Sequence, residues 1–149
     1  MLRATETVRH WSGPFIDEVI LDHEGRNRRR ILLTGRSVAF LLDLPEVPDL
    51  REGDGICLPA GVVRVGAANE DLLEIRCADM RDLARAAWHL GNRHLSVEIR
   101  DGSLRVRSDH VIAEMLRGLG AEVRAVTAPF QPERGAYSER GHGNEAHHG

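Results

Sequence analysis

Eight histidines are spread through the 149 residues, and their spacing sorts them into sets with different chemical prospects. Two stand in "HLGNRH", His89 and His94, where a helix-like pattern gives way to a strand-like one. A side chain at such a junction is free to point outward, where an imidazole is either a plain surface group or a metal ligand. Three more, His142, His147 and His148, lie in "HGNEAHH", which offers no large apolar residue to a core. Imidazole nitrogen suits nickel, copper and zinc, and a segment with no core to join can bring ligands to an ion held elsewhere.

His110 opens a predicted helix, where the dipole disfavours imidazolium and favours the neutral, metal-binding form. The neighbouring Asp109 acts in the opposite sense, and an exposed first-turn residue without a ligand role is an equally good reading. His89 falls one residue past an apolar stripe and is read as structural, packing beside Trp88. His10, next to Trp11, and His23, in a turn, are read as structural or surface residues. The chain carries no GxSxG, P-loop, strand-linked GxGxxG or HExxH. Asp109 and His110 adjoin, but neighbours on a helix point about 100° apart and make no dyad. The expectation is a binding protein, not an enzyme.

The elements that must hold these side chains fall into two grammars. Up to about Ala67, segments such as "RRILLTGRSVAFLLDLP" and "EGDGICLPAGVVRVGAA" repeat apolar residues at spacings of two between Gly, Pro and Asp, which predicts a small all-β domain. "DLREGDG" reads as a turn and "AANED", Ala67 to Asp71, as a connection. Then "LLEIRC" predicts a strand. Met80, Leu83, Ala84, Ala87 and Trp88 predict the buried stripe of a helix with Asp79 as N-cap and Gly91 as its stop. Leu95 to Ile99 and Leu104 to Val106 flank Asp101-Gly102 as a hairpin. Val111, Ile112, Met115, Leu116 and Leu119 predict a second helix, and "AEVRAVTAP" a last strand. Strand, helix, strand, strand, helix, strand is the split βαβ or ferredoxin-like order. The fold class expected is therefore α+β: an all-β domain over 1–69, a ferredoxin-like βαββαβ domain over 70–130, and a disordered histidine-bearing tail over 131–149.

Composition narrows the function further. With 42% hydrophobic residues the chain can bury a core. A net charge of −3 argues against a general nucleic-acid binder. All 20 basic residues are arginine; the local run Arg26 to Arg30 reads as a solvated turn or as part of a protein-contact surface. No apolar stretch reaches the roughly 18 to 20 residues that cross a bilayer, and Met1 to Glu18 is polar, so neither membrane span nor signal peptide is expected and the location expected is cytoplasmic. Cys57 and Cys77 have neither disulfide-framework nor zinc-ribbon spacing and are expected reduced and buried.

"HLGNRH", then "DHVIAEMLRGLGAEV" and "PFQPERGAY", resemble the urease accessory protein UreE family, the nickel metallochaperones of urease maturation; the run from Trp88 to Tyr137 carries the resemblance. It implies a homodimer in which His94 of both protomers binds one Ni(II) ion between the second domains, with His142, His147 and His148 completing or exchanging the coordination. Some relatives carry a further histidine two residues before the one in the DHV motif; here Ser108 stands there, leaving His110 as the one ligand of a weakened peripheral site. The implied partners are the GTPase of the urease maturation complex and apo-urease, met through the β domain. Nitrogen ligands of this kind should also take Cu(II) more strongly, and Zn(II) in competition. The alternative reading is a β-domain interaction adaptor in urease assembly whose metal binding is incidental.

Overall fold

Segments that alternate apolar and polar residues bury one face each and must pair into sheets. The computed structural model describes residues 1–134 and builds three sheets from them. In chain order come β1 (Arg3–Ala4), β2 (Glu6–Val8), β3 (Asp17–Leu21), a short helix α1 (His23–Arg26), β4 (Arg30–Thr34), β5 (Ala39–Asp43), β6 (Gly55–Leu58) and β7 (Gly61–Ala67). One sheet runs β1-β5-β4 and the next β2-β6-β7-β3. Ala4, Phe40 and Leu42 from the first meet Val19, Ile56 and Val63 from the second in one core. The chain passes from one sheet to the other between Ala4 and Glu6.

Two polar residues brace this unit. The carboxylate of buried Asp17 accepts backbone N–H groups of Glu18 at 2.8 Å and of Arg36, Ser37 and Val38 at 2.9 Å, tying the β4–β5 turn to β3. Gly35 permits this approach: a Cβ there would lie 2.7 Å from the Asp17 Cγ. Arg26 corrects an expectation. It is fully buried, its guanidinium donating to the carbonyls of Leu21 and Leu50, so the outer part of the arginine run is Arg28 to Arg30.

The remaining elements are β8 (Asn69–Arg76), α2 (Met80–Asn92), β9 (Glu98–Arg100), β10 (Ser103–Arg107), α3 (His110–Gly118) and β11 (Glu122–Pro129). Their sheet is ordered β11-β8-β10-β9, with every neighbouring pair antiparallel. The chain's compact units divide between Ala68 and Asn69, the second running to Glu133. Leu73, Ile75, Leu104 and Val106 of the sheet pack against Leu83, Leu90, Ile112 and Leu116 of the helices. The architecture is α+β, with strand-rich units and few helices.

Five expected details differ. "AANED" is no connection: β8 begins at Asn69, because its first residues pair with Thr127, Ala128 and Pro129 of the long β11. On α2 the buried residues are Leu83, Ala86 and Leu90, while Met80, Ala84 and Trp88 are exposed. Both triads have helical spacing, so periodicity alone did not choose between the faces. On α3, Val111 is likewise exposed and Ala113 buried. The strand foreseen from Leu95 is the three-residue β9, with Glu98 buried and Ile99 exposed on the sheet's edge. Cys57 and Cys77 are free, as expected, and half-buried rather than buried.

Candidate functional site

The place of His94 follows from how α2 ends. The last helical residues are Gly91 and Asn92, Arg93 is the C-cap, and His94 takes φ of 60°. The His94 N–H donates to the Gly91 carbonyl at 3.0 Å, and the Leu95 N–H reaches back to the Leu90 carbonyl at 3.3 Å. Together these bonds form the Schellman closure, which satisfies carbonyls a helix end would leave open and needs a left-handed residue just past the cap. The foreseen stop at Gly91 is thus displaced by three residues, and the turn is made by Arg93 and His94.

α3 closes in the same way. Gly120, at φ of 91°, donates to the Arg117 carbonyl at 2.9 Å, and the Ala121 N–H to the Leu116 carbonyl at 3.1 Å. There the left-handed position holds glycine, which adopts it without steric penalty. In α2 it holds a histidine, at a conformational penalty of roughly 1 kcal/mol. The backbone therefore fixes where the imidazole starts, and the ring is exposed, with no hydrogen bond or ion pair to another described residue.

The other histidines divide as follows. His110 is exposed in the first turn of α3, and the Asp109 carboxylate is engaged by the Val111 and Ile112 N–H groups at 2.8 and 3.1 Å as the N-cap. His89 is half-buried with its ring edge-on to Trp88, centroids 5.0 Å apart, in keeping with a structural neighbour. His10 also has positive φ, but its N–H is bound by the buried Asp54 carboxylate at 3.0 Å, which accounts for its conformation. His23 opens α1. His142, His147 and His148 lie outside the described residues.

Sequence reading missed that His94 stands in a glycine-type position; the one signal was Leu95, an apolar residue at the place that often follows such a closure. Among the described residues no three His, Cys, Asp or Glu side chains come together as a metal site. His94 itself is exposed, and the helix closure fixes its backbone.

Comparison with known proteins defines the class. A model of the UreE urease accessory protein N-terminal domain matches residues 1–68, and one of the C-terminal domain matches residues 70–149. That places the chain among accessory proteins and not among enzymes. A urease accessory protein UreE from Bradyrhizobium sp. is 50% identical over 99% of this chain and 74% of its own. One from Chelativorans sp. is 45% identical over 99% of this chain and 94% of its own, and one from Beijerinckia indica subsp. indica 47% identical over 99% and 87%. The chain belongs to the UreE family of urease accessory proteins.

Proposed function

We propose that this chain is a nickel metallochaperone that carries Ni(II) to urease during maturation of its active site. The observation that carries the reading is His94, an exposed imidazole held in the left-handed place that α3 gives to Gly120. A single imidazole per chain cannot enclose an ion, so the site is completed by His94 of a second copy and by the tail histidines His142, His147 and His148, with His110 as a weaker outlying ligand. Two facing imidazoles plus exchangeable tail ligands leave coordination open, which lets a carrier release its cargo. The same donor set admits Cu(II) and Zn(II). Large apolar side chains left exposed near His94 in sequence, Trp88 and Leu95, support a homodimer that covers them.

In this reading 1–69 is the protein-interaction domain, 70–130 the metal-binding domain with the ferredoxin-like order of its six elements, and 131–149 the ligand-bearing tail. The partners are the urease maturation GTPase and the apo-urease accessory complex, in the cytoplasm; neither nucleic acid nor membrane takes part. No helix among the described residues is long and apolar enough to cross a membrane.

Calorimetric titration with Ni(II) tests the proposal. His94→Ala should abolish the tight site, and removal of 138–149 should lower affinity or stoichiometry while the dimer persists in sedimentation. An unaltered tight site in His94→Ala would sink it. Urease activation that survives His94→Ala but is lost on neutralising Arg28 to Arg30 would favour the adaptor reading.

A further inference from the structure

The second unit's sheet has two faces, and its helices cover one of them. Leu73, Ile75, Leu104 and Val106 point to α2 and α3, so the residues alternating with them, Glu74, Arg76 and Arg105, point the other way. In register with these stand Arg124, opposite Glu74 on β11, and Glu98, opposite Arg105 on β9. Besides Arg107 of β10, which pairs with Glu70, each of the four strands supplies an arginine to this face: Arg76 on β8, Arg100 on β9, Arg105 on β10 and Arg124 on β11. These residues line an open depression of about 520 Å³.

The charges are layered. Glu74 lies at the bottom with its side chain 4% exposed, accepting from Arg105 at 2.9 Å and from Arg76 and Arg124 at 3.1 Å. Glu98 binds Arg100 at 2.8 Å and takes the backbone N–H of Gln131 at 3.0 Å. Above them, the side chains of Arg76, Arg100 and Arg124 are 53%, 45% and 67% exposed. The buried carboxylates engage one nitrogen each of Arg76, Arg100 and Arg124, out of the five N–H donors a guanidinium carries.

We propose that this face docks an acidic segment of a protein partner, a contact separate from metal carriage and resting on different residues. Four neighbouring strands span about 14 Å, three spacings of about 4.8 Å, which is far wider than a single phosphate. Carboxylates on one side of an extended segment recur about every 6.8 Å, so such a row can meet two or three of them with the planar, forked geometry that guanidinium favours. The depression has Ile99 as its one apolar lining residue and no aromatic ring, so it lacks the stacking platform on which nucleotides and single-stranded nucleic acids depend.

Fluorescently labelled hexaglutamate, titrated into the full chain at low ionic strength, tests the proposal. Binding should weaken as salt rises and fall about tenfold or more in Arg76→Gln/Arg100→Gln/Arg124→Gln. The control Arg28→Gln/Arg29→Gln/Arg30→Gln should bind as the parent does, and both variants should keep their Ni(II) titration curves. Amide shifts on peptide addition should centre on β8, β9, β10 and β11. No binding, equal binding by the sheet-face variant, loss in the control instead, or equal competition by a hexathymidylate would each overturn it.

Discussion

His94 and Gly120 occupy the same position in two helix ends of one unit, the left-handed residue whose N–H closes back on the helix. Glycine serves that role without strain; histidine has to be held there by the bonds around it. Replacing His94 with Gly should therefore raise the stability of the metal-free protein by about 1 kcal/mol, read as a higher urea midpoint at unchanged slope. The same change should remove the tight nickel site. Gly120→Ala should lose a comparable amount, because alanine cannot take φ of 91° cheaply. A destabilised His94→Gly protein would mean that the imidazole is kept for packing and not for a ligand role.

Asp17 sets an acid limit on the first unit. The Ser37 N–H does most to pull its carboxyl down to about 2 from the ordinary 3.8; burial opposes, and the N–H groups of Glu18, Arg36 and Val38 add to the lowering. A carboxyl lowered by folding contributes stability that is complete above its unfolded value and lost as pH falls through its folded one. Urea midpoints should accordingly drop between about pH 4 and about pH 2. Asp17→Asn should be less stable at neutral pH and should flatten that drop. An equally steep acid limb in the variant would assign the loss to other carboxyls.

Alternation and punctuation made most of the strand order legible, because a strand that buries one face announces it at spacing two. The same logic failed on α2. Met80, Ala84 and Trp88 share helical spacing with Leu83, Ala86 and Leu90, and only packing shows which triad the sheet covers. Length failed at β8, whose polar start at Asn69 to Asp71 is a strand because β11 is long enough to pair with it. Of the site, "GNRH" singled out His94 as a candidate, but its left-handed backbone was not legible, since the glycine expected to end the helix lies three residues earlier. Glu74 gave no signal at all: a lone acid between Leu73 and Ile75 reads as solvent-facing until Arg76, Arg105 and Arg124 are brought around it.

Asp109 couples the second helix to its histidine. Its carboxylate takes two of the amide groups that α3 would leave open, those of Val111 and Ile112. Asp109→Ala should destabilise the protein by about 1 kcal/mol, and Asp109→Asn by a few tenths, since asparagine caps nearly as well. Amide hydrogen exchange should localise the loss to the first turn of α3, His110 included. Uniform faster exchange across both units would show that the cap acts on global stability alone.

Glu74 is where the charged sheet face is most vulnerable. Burial alone would push its carboxyl up, but hydrogen bonds from Arg105 and Arg76 outweigh that and hold it below the ordinary value. Removing the carboxylate leaves Arg105, whose side chain is 15% exposed, without its counter-charge, while Arg76 and Arg124 can turn to water. Breaking a fully buried pair costs about 3 to 5 kcal/mol, and with two of the three partners exposed the loss here should be nearer 2 kcal/mol. Glu74→Gln keeps the shape and one acceptor and should lose about half as much. Because the folded carboxyl is lowered, Glu74 also stabilises above the unfolded carboxyl range and ceases to as pH falls through its folded value. Glu74→Ala should therefore cost much less in an Arg105→Ala background than in the parent, and a strictly additive pair in the double-mutant cycle would show that the two do not act on each other.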